Sequence, residues 1–556
     1  MIDCLLIGHN EFSFSEYERM VGAMGKALPA YRDLNYNFWE YKNQYYTASD
    51  VFNKFVYGNP HLNNEMGSFS IGNYFNAAVA YLGTFLDRRG HSFDYVVAYQ
   101  DEKEQLAQKL LEGNIRVIAI LTTLYVSVQP VLEIISFIKK YNADVKIVLG
   151  GPFIASQMKT TMDGDSLQYF LKSVDADFYV NSSQGEAALE KIINNMKNGL
   201  GYDDIDNLVY RSGSRYIQTQ INPEDNKLDE NMVNWQLFGD RIGTFASLRT
   251  SISCPFSCNF CAFPKQAGKY QTVGIECVER ELDALQALGK VKSINFIDDT
   301  LNVPPARFKE MLKMMIKNKY DFKWNSHYRC QFADRETVAL MKESGCEGVF
   351  LGIESGSQQI LKNMNKSATI EKYKEGIQLL KEYGIITYAS FIIGYPGETR
   401  ETVQETFDFI DRYKPDFFRT QLWYCDPTTP IWAKREQYGI EGSQFKWSHD
   451  TMDAQTACNI IEEYFMTHQS SVWVPQYNFE FSAIFNLLHR GMDIDQVKTF
   501  MVLFNKGIKG KLEHPEYPEV SEDLATEMEF MMFKNESYVP RDNAIDLLEH
   551  EVEFDF

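Results

Sequence analysis

The sequence predicts an α/β protein in which an N-terminal doubly wound, Rossmann-like domain is followed by a partial (β/α)6 barrel and a mainly helical C-terminal domain. Three observations predict it: short apolar runs alternate with amphipathic helical patterns over residues 1–200, the same alternation restarts near residue 245 and repeats six times, and a polar stretch separates the two series. At 556 residues the chain is too long for a single core.

The first series reads Leu5–Gly8 as a buried strand, Asn73–Arg89 as a helix, Asp94–Tyr99 as a strand, Glu102–Leu111 as a helix and Val117–Thr122 as a strand. Val131–Tyr141 follows as a helix, Val145–Leu149 and Phe178–Val180 as strands, and Glu186–Met196 as the closing helix. Strands separated by single helices pair in parallel, so residues 1–200 form one open sheet. Residues 13–72, rich in aromatics and poor in periodic runs, interrupt it as an insertion. The polar segment 201–243 reads as a linker, with Ser212-Gly213-Ser214 a turn and Asn222-Pro223-Glu224-Asp225 a loop.

The second series, the core domain 244–439, places strands at Phe245–Ser253, Ser293–Ile297, Lys323–His327, Gly348–Ile353, Thr387–Ile393 and Phe417–Trp423. Helical patterns lie between them at 274–288, 305–317, 335–344, 369–383 and 400–413. In such a fold ligands gather at the C-terminal ends of the strands. The tail, 440–556, is helical in pattern to about Lys506 and acidic afterwards.

Composition narrows the function classes. Lys plus Arg number 55 against 76 Asp plus Glu, a formal net charge of -21 that repels nucleic acid and anionic membranes. The longest apolar stretch, near Val117–Val128, falls far short of the roughly 20 residues a bilayer span needs. The Met1-Ile2-Asp3-Cys4 start lacks the basic and apolar regions of an export signal, so a cytoplasmic protein is expected. Nine scattered cysteines do not make a disulfide framework, which leaves the clustered ones to a metal.

That cluster is Ser253-Cys254-Pro255-Phe256-Ser257-Cys258-Asn259-Phe260-Cys261, directly after the first strand of the second series. Three thiolates in a tight loop can ligate three corners of a cubane iron–sulfur cluster and leave the fourth iron open to a substrate. A structural zinc site wants four closed ligands, and the next cysteine is Cys277. Phe296-Ile297-Asp298-Asp299 ends the second strand, where a carboxylate can accept from an ammonium; a turn built on two Asp residues is the alternative. Arg329, beyond the third strand, suits a carboxylate partner or an ordinary surface position.

The cysteine spacing, with Phe260 before the last thiol, resembles the radical S-adenosylmethionine (SAM) superfamily from about residue 244 to 435. The resemblance implies a 4Fe-4S cluster on Cys254, Cys258 and Cys261, SAM chelated at the open iron, and an adenosyl radical made by reducing the sulfonium. It further implies that Asp298 and Asp299 hold the methionyl amine, that Arg329 pairs with the carboxylate, and that the Gly352-Ile353-Glu354-Ser355-Gly356-Ser357 turn contacts ribose or the amino acid. The turn Gly394-Tyr395-Pro396-Gly397-Glu398 resembles the segment facing adenine.

In the front domain, Thr122, Thr123, Leu124 and Tyr125, then Gly150, Gly151 and Pro152, then Ser183, Gln184, Gly185 and Glu186 place small or hydroxylated residues at successive strand ends, the edge where an open sheet receives a cofactor. This pattern resembles the cobalamin-binding domain that precedes one large class of radical SAM enzymes. That class's Asp-x-His-x-x-Gly motif is reduced here to His9 within Ile7-Gly8-His9-Asn10-Glu11-Phe12, so bound cobalamin is expected to lack a histidine below cobalt; His9 is the remaining ligand candidate, with a structural or solvent-facing histidine as the alternative.

Met1–Asn10, Tyr31–Asn35 and Trp447-Ser448-His449-Asp450-Thr451-Met452 resemble the PhpK-type P-methyltransferases. The resemblance implies methyl transfer from methylcobalamin to an unactivated carbon or phosphorus (phosphinate) centre of a small natural-product precursor or peptide, with electrons from an external flavodoxin- or ferredoxin-type donor. Tyr424, Asp426 and Thr428 after the sixth strand, and His449 from the tail, are the substrate-cavity candidates; Cys330 and Cys425 are thiols near strand ends. Two other readings compete: a rearrangement or cyclisation enzyme using both cofactors, and a cobalamin- or redox-sensing protein.

Overall fold

The computed structural model describes residues 1–123, 125–160, 164–222 and 224–533. Contact density divides it into two units, one of 1–13, 70–256 and 262–323, the other of 14–69, 257–261 and 324–556.

The first unit holds a seven-stranded sheet of β1 (Ile2–His9), β2 (Phe93–Ala98), β3 (Ile115–Leu121), β4 (Lys146–Gly150), β5 (Phe178–Val180), β6 (Leu208–Ser212) and β7 (Arg215–Gln218). Its order is β2-β1-β3-β4-β5-β6-β7. Strands β1–β5 are parallel, with Ile7 facing both Val96 and Ile120. Leu5, Ile118, Ile147 and Leu149 pack with Ile134, Ile135 and Ile138 from the helix Gln129–Tyr141 in one buried cluster. Strand runs this apolar are what burial on both faces demands.

Two segments differ from the sequence reading. Residues 208–218, read within a linker, form a hairpin that extends the sheet antiparallel to β5. The Ser212-Gly213-Ser214 turn is there, with Gly213 at φ 62. Its first strand is buried only over Leu208–Tyr210 and its second only at Tyr216, so no long apolar run announces them. Between β4 and β5 the chain forms helices Pro152–Thr160 and Gly164–Val174, which the sequence reading left blank.

The first unit also carries β8 (Phe245–Leu248) and β9 (Ser293–Phe296), a parallel pair. The strand expected over Phe245–Ser253 breaks at Arg249-Thr250, after which Ser251–Ile252 pairs with Gln271–Thr272.

The second unit carries β10 (Lys323–His327, described here from Trp324), β11 (Cys346–Glu354), β12 (Ile386–Ile393), β13 (Phe417–Leu422) and β14 (Val472–Trp473), parallel and paired in that order. Helices Arg335–Glu343, Ile370–Glu382 and Arg400–Tyr413 connect them, two started by the side chains of Asp334 and Thr369 and the third by a Thr399 capping box. Phe391 meets Phe409, and Phe418 meets Tyr464 and His468, so alternate side chains of β12 and β13 face the covering helices. The tail adds β14, a small antiparallel sheet (Glu441–Ser443, Lys446–His449, Met452–Asp453) and four helices ending at Glu529.

The insertion now has a place. Residues 14–69 belong to the second unit, where the hairpin Phe38–Tyr41/Gln44–Thr47 packs on the helix Ile494–Glu513. Trp39 stacks on Phe504 at 5.7 Å and donates its indole N–H to the Phe504 carbonyl at 2.7 Å. The aromatics that gave this stretch no period form a core with distant partners.

Candidate functional site

The backbone turns sharply into the cysteine loop: Ser253 is buried in the left-handed region at φ 68. Asp298, fully enclosed at the end of β9, fixes this turn. Its carboxylate accepts from the Thr250 N–H at 3.0 and 3.1 Å and from the Ser251 hydroxyl. Asp298 thus engages both oxygens in holding the loop entrance. Asp299 is the open carboxylate, and burial together with the Asp298 charge raises it to about 7.

The second half of the loop is stapled down within the second unit. Asn259 donates from its backbone to the Met364 carbonyl at 2.8 Å and from its amide to the Asn363 carbonyl at 2.7 Å, while Asn365 donates to the Ser257 carbonyl at 2.8 Å. Lys366 lies over the Phe260 ring and donates to Glu354 Oε1 at 2.8 Å, a buried ion pair. Glu354, at φ 70 where β11 ends, is therefore neutralised by a lysine that the sequence reading missed. Lys366 stands in a turn with no motif around it, and only the fold brings it to the glutamate.

Cys258 is buried and Cys254 and Cys261 half-buried, all three as free thiols. Arg329 donates from Nη2 to Cys258 Sγ at 3.6 Å, so it faces a cluster thiol and is not a surface arginine. The buried hydroxyls of Tyr373 and Tyr395 lie within electrostatic reach of Cys258 and have no hydrogen-bond partner among the described residues. Each such group costs about 1–3 kcal/mol if left unsatisfied, so this polar lining fits a bound polar group. Among the described residues no three His, Cys, Asp or Glu side chains are already gathered as a metal cage.

The other turns divide into those that offer atoms and those that hold themselves. Ser355 spends its hydroxyl on Thr406 and the Ser357 N–H, whereas the Ser357 hydroxyl, 1 % exposed, has no partner among the described residues. Ser355 thus braces the turn, and Ser357 is the hydroxyl left with hydrogen-bonding capacity among the described residues. Glu398 accepts from the N–H groups of Gly394 (2.6 Å) and Tyr395 (3.3 Å), and its burial lifts its pKa to about 8. The Gly394 N–H is thus taken by the turn's own glutamate. Gly394 sits at φ 88 against Trp447, and Gly397 at φ 88 against Asn363; a Cβ at either would clash at 2.5 and 2.7 Å. Pro396 lies between them, buried.

His449 is buried against the Gly394 turn. Its Nε2 donates to the Gly394 carbonyl at 3.1 Å and its Nδ1 accepts from Thr451, in a stack on Trp447 that supports the same turn. Asp426 accepts from the Thr428 N–H at 2.8 Å, while the Thr428 hydroxyl is buried without a partner among the described residues. Tyr424 is 48 % exposed beside Phe445. Burial pushes Cys330 up to about 12 and Cys425 to about 11, so both stay protonated thiols at neutral pH.

In the first unit the strand order reverses at β1 and β3, and the crevice beyond their C-terminal ends is where such sheets take ligands. Asn10, buried there, donates its backbone N–H to the Tyr125 hydroxyl oxygen at 2.8 Å and its side-chain amide to the Pro130 carbonyl and Glu133. Tyr125 and Thr122, whose hydroxyl donates to the Gly150 carbonyl, are buried and brace this edge. The open positions are Thr123, Val126 (88 % exposed), Pro152 and Ser183. Gly151, at φ 117, lets its backbone approach Thr122, where a Cβ would sit 2.9 Å from the hydroxyl. This small-residue floor fits a large flat ligand. Leu124 lies outside the described residues. Gln184 and Glu186 receive Asn226, and Glu224 caps the helix Glu186–Asn198 through Ala187 and Ala188, occupying the helix start next to Gly185. His9 is half-buried 5.4 Å from the Tyr125 ring, and burial lowers it to about 4, so it is neutral at physiological pH.

Comparison with known proteins gives the class. Residues 248–410 match the Radical SAM superfamily and residues 71–168 the B12 binding domain. The chain thus carries a radical SAM domain with a B12-binding domain ahead of it in sequence, and these two domains imply a 4Fe-4S cluster, SAM and cobalamin as its cofactors. Among curated relatives it is 27% identical over 301 residues to an uncharacterized methyltransferase of Pyrococcus horikoshii, covering 53% of this chain and 64% of that one. It is 26% identical over 402 residues to the anaerobic magnesium-protoporphyrin IX monomethyl ester cyclase of Rubrivivax gelatinosus, covering 67% and 69%. The bacteriochlorophyllide d C-12(1)-methyltransferase of Chlorobaculum tepidum is 30% identical over 231 residues, 41% of this chain and 49% of that one. Two solved structures share the fold at 16% identity: the cobalamin-dependent radical enzyme OxsB (TM-score 0.60, 83% and 73% covered) and the methyltransferase TsrM from Kitasatospora setae (TM-score 0.55, 79% and 96%). No described helix is long and apolar enough to cross a membrane.

Proposed function

We propose that the protein is a cobalamin-dependent radical SAM methyltransferase that methylates an unactivated carbon or phosphorus centre of a small natural-product precursor or peptide. The observation that carries this reading is the coupling of a three-cysteine loop inside a radical SAM match to a B12-binding match upstream. Methyltransferase names among the relatives support it. When bound, the cluster and SAM supply a hydrogen-abstracting radical and the corrinoid a transferable methyl group.

The chain's own groups have definable parts in this reading. Cys254, Cys258 and Cys261 ligate the cluster, and Arg329 places positive charge beside the Cys258 sulfur. Asp299 accepts from the methionyl ammonium, and Ser357 with the Gly394–Glu398 turn bounds the nucleoside. Tyr424 borders the substrate. Thr123, Gly151, Pro152 and Ser183 carry the corrinoid, with neutral His9 the one imidazole at that edge. An external low-potential flavodoxin- or ferredoxin-type donor and a cytoplasmic setting complete the proposal.

A cyclisation reading is favoured by one observation, the match to a cyclase over 67% of the chain. Product analysis separates the two. Anaerobically reconstituted protein with SAM, cobalamin and a reductant is expected to form both S-adenosylhomocysteine and 5′-deoxyadenosine, and the Cys258→Ala variant to form no 5′-deoxyadenosine. Production of 5′-deoxyadenosine without S-adenosylhomocysteine, across candidate acceptors, favours cyclisation and overturns methyl transfer.

A further inference from the structure

The chain is strongly acidic, but the outer side of the cysteine loop is not. Residues 257–261, 355–368 and 427–435, all within the second unit, contain no Asp or Glu, whereas 76 of the 556 residues of the whole sequence are acidic. Hydrogen bonds hold these three segments together. Asn259, between Cys258 and Phe260, donates to the Met364 and Asn363 carbonyls at 2.8 and 2.7 Å, and its own carbonyl accepts the N–H of Ile431, in the short helix Pro430–Lys434, at 2.9 Å. The two flanking segments meet again across Gly397, where a Cβ would stand 2.7 Å from the Asn363 amide nitrogen and 3.4 Å from the Tyr438 ring.

The cations on this side fall into two groups. Lys366 is buried on Glu354, and Arg435 stands 3.9 Å from Glu436. Lys362 and Lys434 are exposed and have no carboxylate within ion-pair distance among the described residues. Lys362 also lines a depression of about 480 Å³ with Gln358, Gln359, Asn365, Lys366 and Ser367. That lining offers ammonium, amide and hydroxyl groups and no carboxylate, and Asn365 ties it to the cysteine loop by donating to the Ser257 carbonyl at 2.8 Å.

The surface leads directly to the cluster ligands. Ser257 is exposed and Phe260 half-buried, so a body resting here touches the stretch of loop that carries Cys258 and Cys261. From the Asn363 carbonyl one hydrogen bond reaches Asn259, and one peptide bond more reaches Cys258. An acidic protein is repelled by most of a chain of net charge -21 and is drawn to a stretch where unpaired lysines face it.

We infer that this face is the docking surface for an acidic, low-potential electron-transfer protein, which sets carboxylates on Lys362 and Lys434 and passes its electron to the cluster through the loop between Cys258 and Cys261. In that step the donor is oxidised by one electron and the cluster is reduced by it; no bond forms or breaks, and no proton leaves this chain. The inference rests on the proposed function for the cluster and its need of a donor, and adds where that donor binds.

The test uses the anaerobically reconstituted full chain and an acidic flavodoxin as the probe donor. Complex formation is read by calorimetry, and 5′-deoxyadenosine formation is timed with flavodoxin hydroquinone or, separately, with reduced methyl viologen, a small cation that needs no docking surface. At low ionic strength the wild type is expected to bind flavodoxin with a Kd on the order of micromolar. Lys362→Glu and Lys434→Glu should each weaken binding at least about threefold and the double variant about tenfold, with the differences closing as salt rises. The flavodoxin-driven rate should fall in step, and the methyl viologen-driven rate should stay within about twofold of wild type because neither lysine touches the cysteines. Lys506→Glu, the same charge change on the tail helix, controls for net charge and should weaken binding less than about twofold. Wild-type affinity in the double variant, an equal loss in Lys506→Glu, an equal fall of the methyl viologen-driven rate, or no flavodoxin binding to the wild type overturns the docking surface. The binding measurement requires no turnover, so a chain that forms no 5′-deoxyadenosine with methyl viologen counts against the radical reading and leaves the affinities to decide the surface.

Discussion

Glu398 shows how a motif residue can serve its own turn first. Its carboxyl is fully buried, bonded only to two backbone N–H groups, with its other oxygen unpartnered among the described residues, and burial holds its pKa at about 8. A carboxyl raised on folding is most favourable when protonated in both states. Its contribution is fully present below the unfolded value near 4.5 and is lost as pH rises from there to about 8. Thermal melts of the wild type are expected to fall across that window, and Glu398→Gln, which keeps an acceptor for Gly394, should flatten the fall. Parallel curves for the two proteins rule out Glu398 as the source. The sequence places Glu398 in the right turn, but its hydrogen bonds run inward, and the same holds for Asp298 and Ser355. Residue type and strand-end position were legible there; the direction of a carboxylate or hydroxyl was not, because that depends on which backbone donors the neighbouring turn leaves free. Lys366, Ser357, Tyr373 and Tyr395 were illegible for the complementary reason: no spacing rule links them to the cysteines, and only packing brings them near.

Strands buried on both faces were read correctly because their apolar runs are continuous, as in β1, β3 and β12. The edge hairpin 208–218 and the insertion were not, one because its strands are half polar and the other because its partners lie more than 400 residues away. The insertion's packing is therefore the element most open to test. Trp39 is fully buried, and Gly507 on the facing helix leaves it room: a Cβ there would stand 2.4 Å from the indole nitrogen. Gly507→Ala is expected to lower stability by about 1–3 kcal/mol through overpacking. Trp39→Ala should cost about 3–5 kcal/mol through the lost stack and the orphaned Phe504 carbonyl. Chemical denaturation checks both, and a Gly507→Ala midpoint equal to wild type shows that residues 38–47 do not seat on that helix.

Taken as a chain, the protein carries two sets of parallel strands, and such strands deliver their loops to one end, where these folds receive ligands. The front edge makes a separate prediction because its supports are all local: Asn10, Thr122 and Tyr125 bond among β1, β3, β4 and the helix after β3. Gly151 is the sensitive point. It holds φ 117, which L side chains rarely adopt, and any Cβ meets the Thr122 hydroxyl. Gly151→Val is therefore expected to reduce corrinoid retained after anaerobic reconstitution at least tenfold, measured from the absorption of the released cobalamin. Iron content, which follows Cys254, Cys258 and Cys261, should stay at the wild-type level, and Cys258→Ser should produce the reverse pattern. Full corrinoid retention by Gly151→Val places the cofactor away from the β3–β4 edge. The strain at this position is expected to lower the variant's melting temperature as well, and loss of iron and corrinoid together points to a misfolded sheet.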